Sequence, residues 1–409
     1  MGCRTRFSLC WLLKKTCILP EKRWEMDTRW KFPEKGGKWV KLAHFQGDIQ
    51  DSISSCRFIE FLSAGGFGID FSQDESHLEQ GISTVRKGIL ANGVTAFCPT
   101  LITSPKEFYH RALGKIKKTA GGPEGAEILG AHVEGPFINV EKKGAHDTKY
   151  IQTFTNGFET FKEVYGSDWK NIEIITLAPE LDNSCDVISS LKGNGITVSI
   201  GHSMGSLVQG ETAVQCGATL ITHLFNAMLP FHHRDPSLIG LLTSNKIPRD
   251  QNIFYGIIAD GIHTHPAALR IAYRTHPKGI VLVTDAMSGL GLKPGTYQLG
   301  EQDVDVTEKC AVLAGTSTLC GSVATMDKCV KHFRTATGCS IVEALEAASL
   351  HPAQALGIQH KKGTLSFGAD ADFVFLDQDL NVQSTWIASQ MVYEHPSASK
   401  VLYKYLEKS

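Results

Sequence analysis

Ile253–His263 reads IFYGIIADGIH, an apolar run of strand length closed by an acid, a glycine and a histidine. The same arrangement recurs along the chain. Ile128–Glu134 is ILGAHVE, Ile196–His202 is ITVSIGH, Thr219–His223 is TLITH and Ile280–Asp285 is IVLVTD. Val94–Ile102 and Ile172–Ala178 are further apolar runs of this length. Amphipathic stretches separate them: Glu79–Ala91, Lys106–Lys118, Asp182–Lys192, Gly205–Gln215 and Pro266–Arg274. Unbroken apolar strands alternating with helices imply a parallel sheet with both faces covered. Seven such runs, with Phe58–Phe71 as a first, fit a (β/α)8 TIM-like barrel. A doubly wound open sheet is the alternative. It usually carries a glycine-rich phosphate loop after its first strand, and none is visible.

The tail has a different texture. Within Lys362–Glu394, short runs at Phe373–Leu376, Val382–Ile387 and Gln390–Tyr393 are punctuated by Gly and Asp. They predict an antiparallel β appendage. The expected organisation is a divergent segment over 1–57, a catalytic barrel over 58–355 and strands of a small β domain over 356–409.

Composition narrows the function. Basic and acidic residues number 41 and 42, a formal net charge of −1. That balance argues against nucleic-acid or anionic-membrane partners, which select a basic excess. No apolar run approaches the roughly 20 residues needed to cross a bilayer. The 11 cysteines form no C-x-x-C pair and read as free thiols of a reducing compartment, which places the chain in the cytoplasm. Residues 1–20 are basic, lack a clean signal-peptide core and carry no acid before Glu21. The last feature leaves a transit peptide as the alternative.

The chemistry lies at the ends of the runs. A buried strand has no need of Glu134, His202, His223, His263 or Asp285, yet each stands at or just past a run's C-terminal end. In a (β/α) barrel those ends share one mouth, where active sites form. One carboxylate and two imidazoles make a first shell for a divalent metal with a position left open for water, so Glu134, His202 and His223 are the candidate ligands. A bound Zn²⁺ can lower the pKa of its water from about 15.7 to about 7. Asp285 then has the part of accepting that water's proton and delivering it to a leaving group. His146 and His263 are ligand contacts or electrophiles. Taken singly, each residue has a plainer reading: a hydrogen-bonded structural histidine, a helix-capping aspartate, a turn glutamate before Gly135-Pro136. The plain readings weaken together, because separate strands would have to place ionisable groups at the same end by chance. In Asn226–Pro236 (NAMLPFHHRDP), Arg234 suits an anionic group, with a solvated Arg234–Asp235 pair as the alternative. Gly315–Asp327 is either a mouth loop or a helix N-cap.

These motifs resemble those of the N-acetylglucosamine-6-phosphate deacetylases, members of the amidohydrolase superfamily. The resemblance is carried by HVEGPFINVEKKGAH (His132–His146), LAPE (Leu177–Glu180), GHS (Gly201–Ser203), THLFNAM and HHRDP within Thr222–Pro236, ADGIHTHP (Ala259–Pro266), VTDAM (Val283–Met287) and AGTSTLCGS (Ala314–Ser322), in family order from about Gly65 to Glu394. It implies that Glu134, His202 and His223 hold one divalent ion, zinc first, with iron, cobalt or manganese as alternatives. It implies Asp285 as acid/base and His146 as a group polarising the acetamide carbonyl. Asn226 and Ala227 would bind substrate, and Arg234 and His263 would contact the sugar phosphate and hydroxyls. The implied reaction converts N-acetylglucosamine 6-phosphate to glucosamine 6-phosphate and acetate, in amino sugar catabolism, by a homodimer with a neighbouring subunit near the phosphate.

The departure is N-terminal. Residues 1–56 show no match, and Leu62 and Ala64 stand where the family has Gln and Asn. This predicts a β-sandwich appendage that is incomplete, with C-terminal strands lacking partners and an exposed sheet edge. A chain that binds phosphosugar without turnover is one alternative. An amidohydrolase acting on another amide is the other. That class often carries H-x-H on strand one and a carboxylated lysine on strand four. Phe58–Phe71 holds no His, and Ile172–Glu180 holds no Lys.

Overall fold

The computed structural model describes residues 30–31, 40–42, 53–248 and 251–398. The leader reading of residues 1–20 lies outside the described residues, as does the end of the 356–409 segment.

Eight parallel strands form one sheet in the order in which they occur in the chain: β1 (Phe58–Ser63), β2 (Val94–Ile102), β3 (Ala131–Glu134), β4 (Ile172–Leu177), β5 (Thr197–Ile200), β6 (Leu220–Ile221), β7 (Phe254–Ile258) and β8 (Ile280–Val283). All nine residues of β2 are buried, as an unbroken apolar run demands. Helices follow seven of the strands: α1 (Leu78–Gly88), α2 (Lys106–Ala112), α3 (Phe158–Tyr165), α4 (Ser184–Gly193), α5 (Leu207–Cys216), α6 (Pro266–Thr275) and α7 (Met326–Thr337). After β6 a 3₁₀ stretch, Ser237–Thr243, takes the helix's place. Helix α1 buries Leu78, Gly81, Ile82 and Val85, one face at helical spacing. Helix α5 opens on a capping box between Ser206 and Gln209.

The sheet closes on itself at the mouth. The Asp285 N–H donates to the Leu62 carbonyl at 2.9 Å, and the Ala64 N–H to Ala286 at 2.8 Å. Toward the base β1 and β8 part, and Ala347 and Ala348 fill the gap by accepting from Leu282 and Ile59. Glu60, buried on β1, spans the seam. Its carboxylate accepts the Leu62 N–H at 2.8 Å and the Thr284 N–H at 2.9 Å. Burial pushes its carboxyl up to about 7, against the pull of those backbone donors.

Two features differ from the sequence reading. The C-terminal strands β12 (Phe373–Leu376), β13 (Val382–Ile387) and β14 (Gln390–Glu394) do have an N-terminal partner. Ile53–Cys56 pairs antiparallel with β12, giving a four-stranded sheet. The expected bare edge at β12 is therefore corrected: four residues of the divergent segment supply its ladder. Trp30–Lys31 and Val40–Leu42 form a separate two-stranded ladder. Cys185 on α4 and Cys216 on α5 are bonded, with Cα atoms 5.5 Å apart, which corrects the free-thiol expectation for this pair. Adjacent barrel helices bring the two residues within disulfide reach across 31 residues of sequence.

A three-stranded sheet also lies outside the sequence reading. Strands β9 (Gly295–Leu299), β10 (Gln302–Val306) and β11 (Ala311–Leu313) form an antiparallel meander between β8 and α7.

Glu60→Ala should leave two buried backbone N–H groups at the seam without acceptors. The expected cost is about 2 kcal/mol or more, seen as a lower thermal unfolding midpoint. An unchanged midpoint would show that the seam does not depend on this carboxylate.

Candidate active site

Four side chains close around one point at the C-terminal rim of the barrel. Glu134 ends β3, His202 follows β5 after Gly201, and His223 lies two residues past β6. His146 comes from the long loop after β3. The His202 Nε2 lies 3.3 Å from Glu134 Oε1, and the His223 Nε2 lies 3.4 Å from the same oxygen. The two Nε2 atoms are 3.1 Å apart. The His146 Nε2 is 3.7 Å from Glu134 Oε2. All four side chains are buried.

The second nitrogens of His202 and His146 tell these two rings apart. The Lys142 carbonyl accepts from His202 Nδ1 at 2.7 Å, so the neutral ring presents a lone pair at Nε2. His146 is the reverse. The Thr103 N–H donates to its Nδ1 at 3.3 Å and the Thr103 hydroxyl lies 2.7 Å from that atom, so the neutral ring carries its proton on Nε2. His132, in the same motif, has both nitrogens engaged inside the barrel, with the Phe61 carbonyl at 2.6 Å and the Thr176 hydroxyl at 2.9 Å. It is a structural histidine, and burial holds its pKa down.

Electrostatics follow from burial. Desolvation alone would raise Glu134, but the three imidazoles together hold its carboxyl well below the usual range. Its Oε1 is nonetheless buried with no hydrogen-bond partner. A buried carboxylate oxygen without a donor, facing the Nε2 atoms of His202 and His223, is what a cation site offers, and the residues fit a divalent ion. Glu134, His146 and His202 each place a ligand atom within 4.8 Å of the others. The other such group among the described residues, Glu127, Asp370 and Asp372, already pairs with the cations of Lys362 and Arg57.

Asp285 follows β8 at φ +50°, and His202 and Ala227 also sit in the left-handed region, at +49° and +48°. Such backbone is sparsely populated by residues with a Cβ and clusters at functional turns. Burial pushes the Asp285 carboxyl well above its ordinary range, and the nearby Glu134 charge adds to this. Asp285 lines a cavity of about 270 Å³ together with Glu134, His146, His202, His223 and His263. Asn226 and Ala227 also line it, as do Leu319 and Gly321; the segment Gly315–Asp327 thus supplies both a mouth loop and, at Thr325, the N-cap position of α7. His263 is held by Asp260, whose Oδ2 lies 2.6 Å from Nδ1.

Arg234 does not join them. It is exposed, and no atom of it lines the cavity. Nor does it pair with Asp235, whose Oδ1 accepts the backbone N–H groups of Leu207 and Ser237 at 3.0 Å each.

The amidohydrolase family model matches residues 43–392. The chain is 54% identical over 391 residues to the N-acetylglucosamine-6-phosphate deacetylase of Danio rerio, covering 95% of this chain and 96% of that one. It is 51% identical to the enzyme of the same name from Homo sapiens, covering 96% of each. The solved N-acetylglucosamine-6-phosphate deacetylase of Thermotoga maritima superposes with a TM-score of 0.77 at 30% identity, covering 90% of this chain and 95% of that one. The chain belongs to the amidohydrolase family, among its N-acetylglucosamine-6-phosphate deacetylases. The match begins at residue 43, so it reaches into the segment 1–56 that the motifs alone leave unmatched. At and just past strand one, Leu62 and Ala64 are buried, and Ala64 lines the cavity without offering a ligand atom. Family and donor set together support a divalent metal ion.

Sequence reasoning missed the groups that orient the rings. Asp260 was legible, three residues before His263 in one turn. Thr103 and the Lys142 carbonyl carried no local signal.

The ring assignment is open to measurement. Histidine ¹⁵N shifts should show His146 protonated on Nε2 and His202 on Nδ1 near neutral pH. The opposite pattern would reverse the roles read from the hydrogen bonds.

Proposed function

We infer that the chain hydrolyses the N-acetyl group of N-acetylglucosamine 6-phosphate, releasing acetate and glucosamine 6-phosphate in amino sugar catabolism. The observation that carries this reading is one cavity lined by a buried Glu–His–His donor set and by the carboxylate of Asp285. The reading takes residues 58–355 as the catalytic unit. Glu134, His202 and His223 would hold the metal, with zinc as the ion these nitrogen and oxygen donors suit and iron, cobalt or manganese as alternatives. When bound, the ion supplies Lewis acidity, polarising a carbonyl and acidifying water.

The chain's own groups account for the remaining steps. The tautomer at His146 supports a donor role: its Nε2–H is available to the acetamide carbonyl oxygen and strengthens its bond as negative charge develops there. Asp285 takes a proton from the attacking water on its carboxylate and returns it to the departing amine. The raised proton affinity of Asp285 suits that return. Asn226 and the Ala227 backbone, on the cavity wall, would orient the sugar, and His263, steadied by Asp260, would contact its hydroxyls or phosphate.

Arg234 is assigned to the phosphate, and its exposure outside the cavity fits a homodimer in which a neighbouring subunit lies near that group. No described helix is long and apolar enough to cross a membrane, and the reading places a charge-balanced enzyme with a small-molecule substrate in the cytoplasm, without nucleic-acid or membrane partners.

Asp285→Asn should keep bound metal and substrate affinity while turnover falls about 10³-fold, measured as acetate release at known metal content. Near-normal turnover would refute the acid/base assignment. Arg234→Ala should raise KM for the phosphorylated sugar far more than for N-acetylglucosamine. Equal effects on the two would remove Arg234 from the phosphate.

A further inference from the structure

The LAPE motif ends in Glu180, to which the proposed reaction gives no part. Glu180 does not line the cavity. Its carboxylate is nevertheless fully engaged. Oε1 accepts from the Asn139 side-chain amide at 2.9 Å and from the Met204 N–H at 2.6 Å, and Oε2 accepts from the Ser203 hydroxyl at 2.6 Å. These donors come from two loops, one after β3 and one after β5, and both bear on His202.

The second loop carries His202 itself, in the left-handed backbone conformation that residues other than glycine disfavour. Glu180 ties down the two residues that follow it. The packing is close: a Cβ added at Gly205 would come within 3.2 Å of Glu180 Oε2 and 2.8 Å of Ser203 Oγ. The first loop carries the acceptor for the ring. The Asn139 Oδ1 caps the 3₁₀ turn Val140–Lys142 by accepting the Glu141 N–H at 2.9 Å. The Asn139 N–H donates to the His202 carbonyl at 2.9 Å. The turn ends at Lys142, whose carbonyl takes the His202 Nδ1–H at 2.7 Å.

We propose that Glu180 is the positioning residue for His202, pinning with one carboxylate both the backbone of that histidine and the loop whose carbonyl sets its ring tautomer. Glu180 does not touch the metal. It acts by holding the Nε2 lone pair of His202 toward Glu134 and His223. A carboxylate suits this role because it accepts from three donors with no proton of its own to misplace. The inference rests on the reading of His202 as a metal ligand. It predicts that glutamine substitutes well: the amide oxygen keeps Asn139 and Met204, and the amide nitrogen faces Ser203 Oγ, a hydroxyl that can turn to accept.

The test is the Zn²⁺ affinity of the full-length chain, by competition with a chelator, alongside the melting temperature of the metal-free protein. His202→Ala should lose tight zinc binding, which checks the underlying reading. Glu180→Ala should bind zinc about 10- to 100-fold more weakly, the usual effect of removing a group that orients a ligand. Glu180→Gln should stay close to wild type. A merely structural glutamate would lower the metal-free melting temperature of the alanine variant and leave its zinc affinity unchanged. That result, with His202→Ala defective, overturns the role of Glu180 and spares the metal site. Wild-type zinc affinity in His202→Ala overturns the metal reading and this proposal with it. A glutamine variant as weak as the alanine variant overturns the hydrogen-bond account. Should Glu180→Ala not fold, Asn139→Ala and Ser203→Ala each remove one of the three bonds; weaker zinc binding in both supports the proposal, and wild-type affinity in both overturns it.

Discussion

A carboxylate buried at the mouth of the barrel, with one oxygen lacking any hydrogen-bond donor, sets the terms for this protein. Removing an ionised group from water costs several kcal/mol unless charge or hydrogen bonds replace the solvent. Around Glu134 the replacement comes from imidazoles and from the cation that the donor set fits. The imidazoles come from elsewhere in the chain, because the one histidine of β3, His132, is engaged inside the barrel by the Phe61 carbonyl and the Thr176 hydroxyl. The site exists only if the ends of β5 and β6 and the long loop after β3 arrive at the same place, and closure of the parallel sheet makes them do so.

Closure also sets the chemistry. Asp285 follows the last strand and Leu62 belongs to the first, and the hydrogen bond between their backbones is part of the seam. The group proposed as acid/base is therefore tied by its backbone to the wall of the barrel. Its proton affinity is raised by the same burial and by the charge of Glu134 across the cavity. The neighbouring rings are sorted by their outer partners. Thr103 leaves His146 a donor, and the Lys142 carbonyl leaves His202 a lone pair. Two histidines of similar burial thus take opposite tautomers from the groups that engage their Nδ1 atoms.

Much of the scaffold was readable because a strand buried on both faces has little choice of composition. The bounds of β2 match the apolar run Val94–Ile102, and those of β13 match Val382–Ile387. The run Thr219–His223 is longer than the strand it contains. Only Leu220–Ile221 are strand, because the chain turns toward the site at His223. The meander β9–β11 was legible in principle, since Val304 and Val306 alternate with polar neighbours after the Gly300–Glu301 turn. It went unread because half-exposed strands give a fainter signal than buried ones.

The sequence by itself determined the barrel, the rim where its chemistry gathers, and the identity of Glu134, His202, His223 and Asp285 as candidates, because period and residue type are local properties of the chain. Only the tertiary structure decided that Ile53–Cys56 completes the appended sheet, that Cys185 meets Cys216, that Arg234 stands outside the cavity and that His146 faces inward with its proton on Nε2. Each of those depends on which distant group lies within hydrogen-bond or van der Waals reach, and such proximity is a property of the folded chain that linear spacing does not encode.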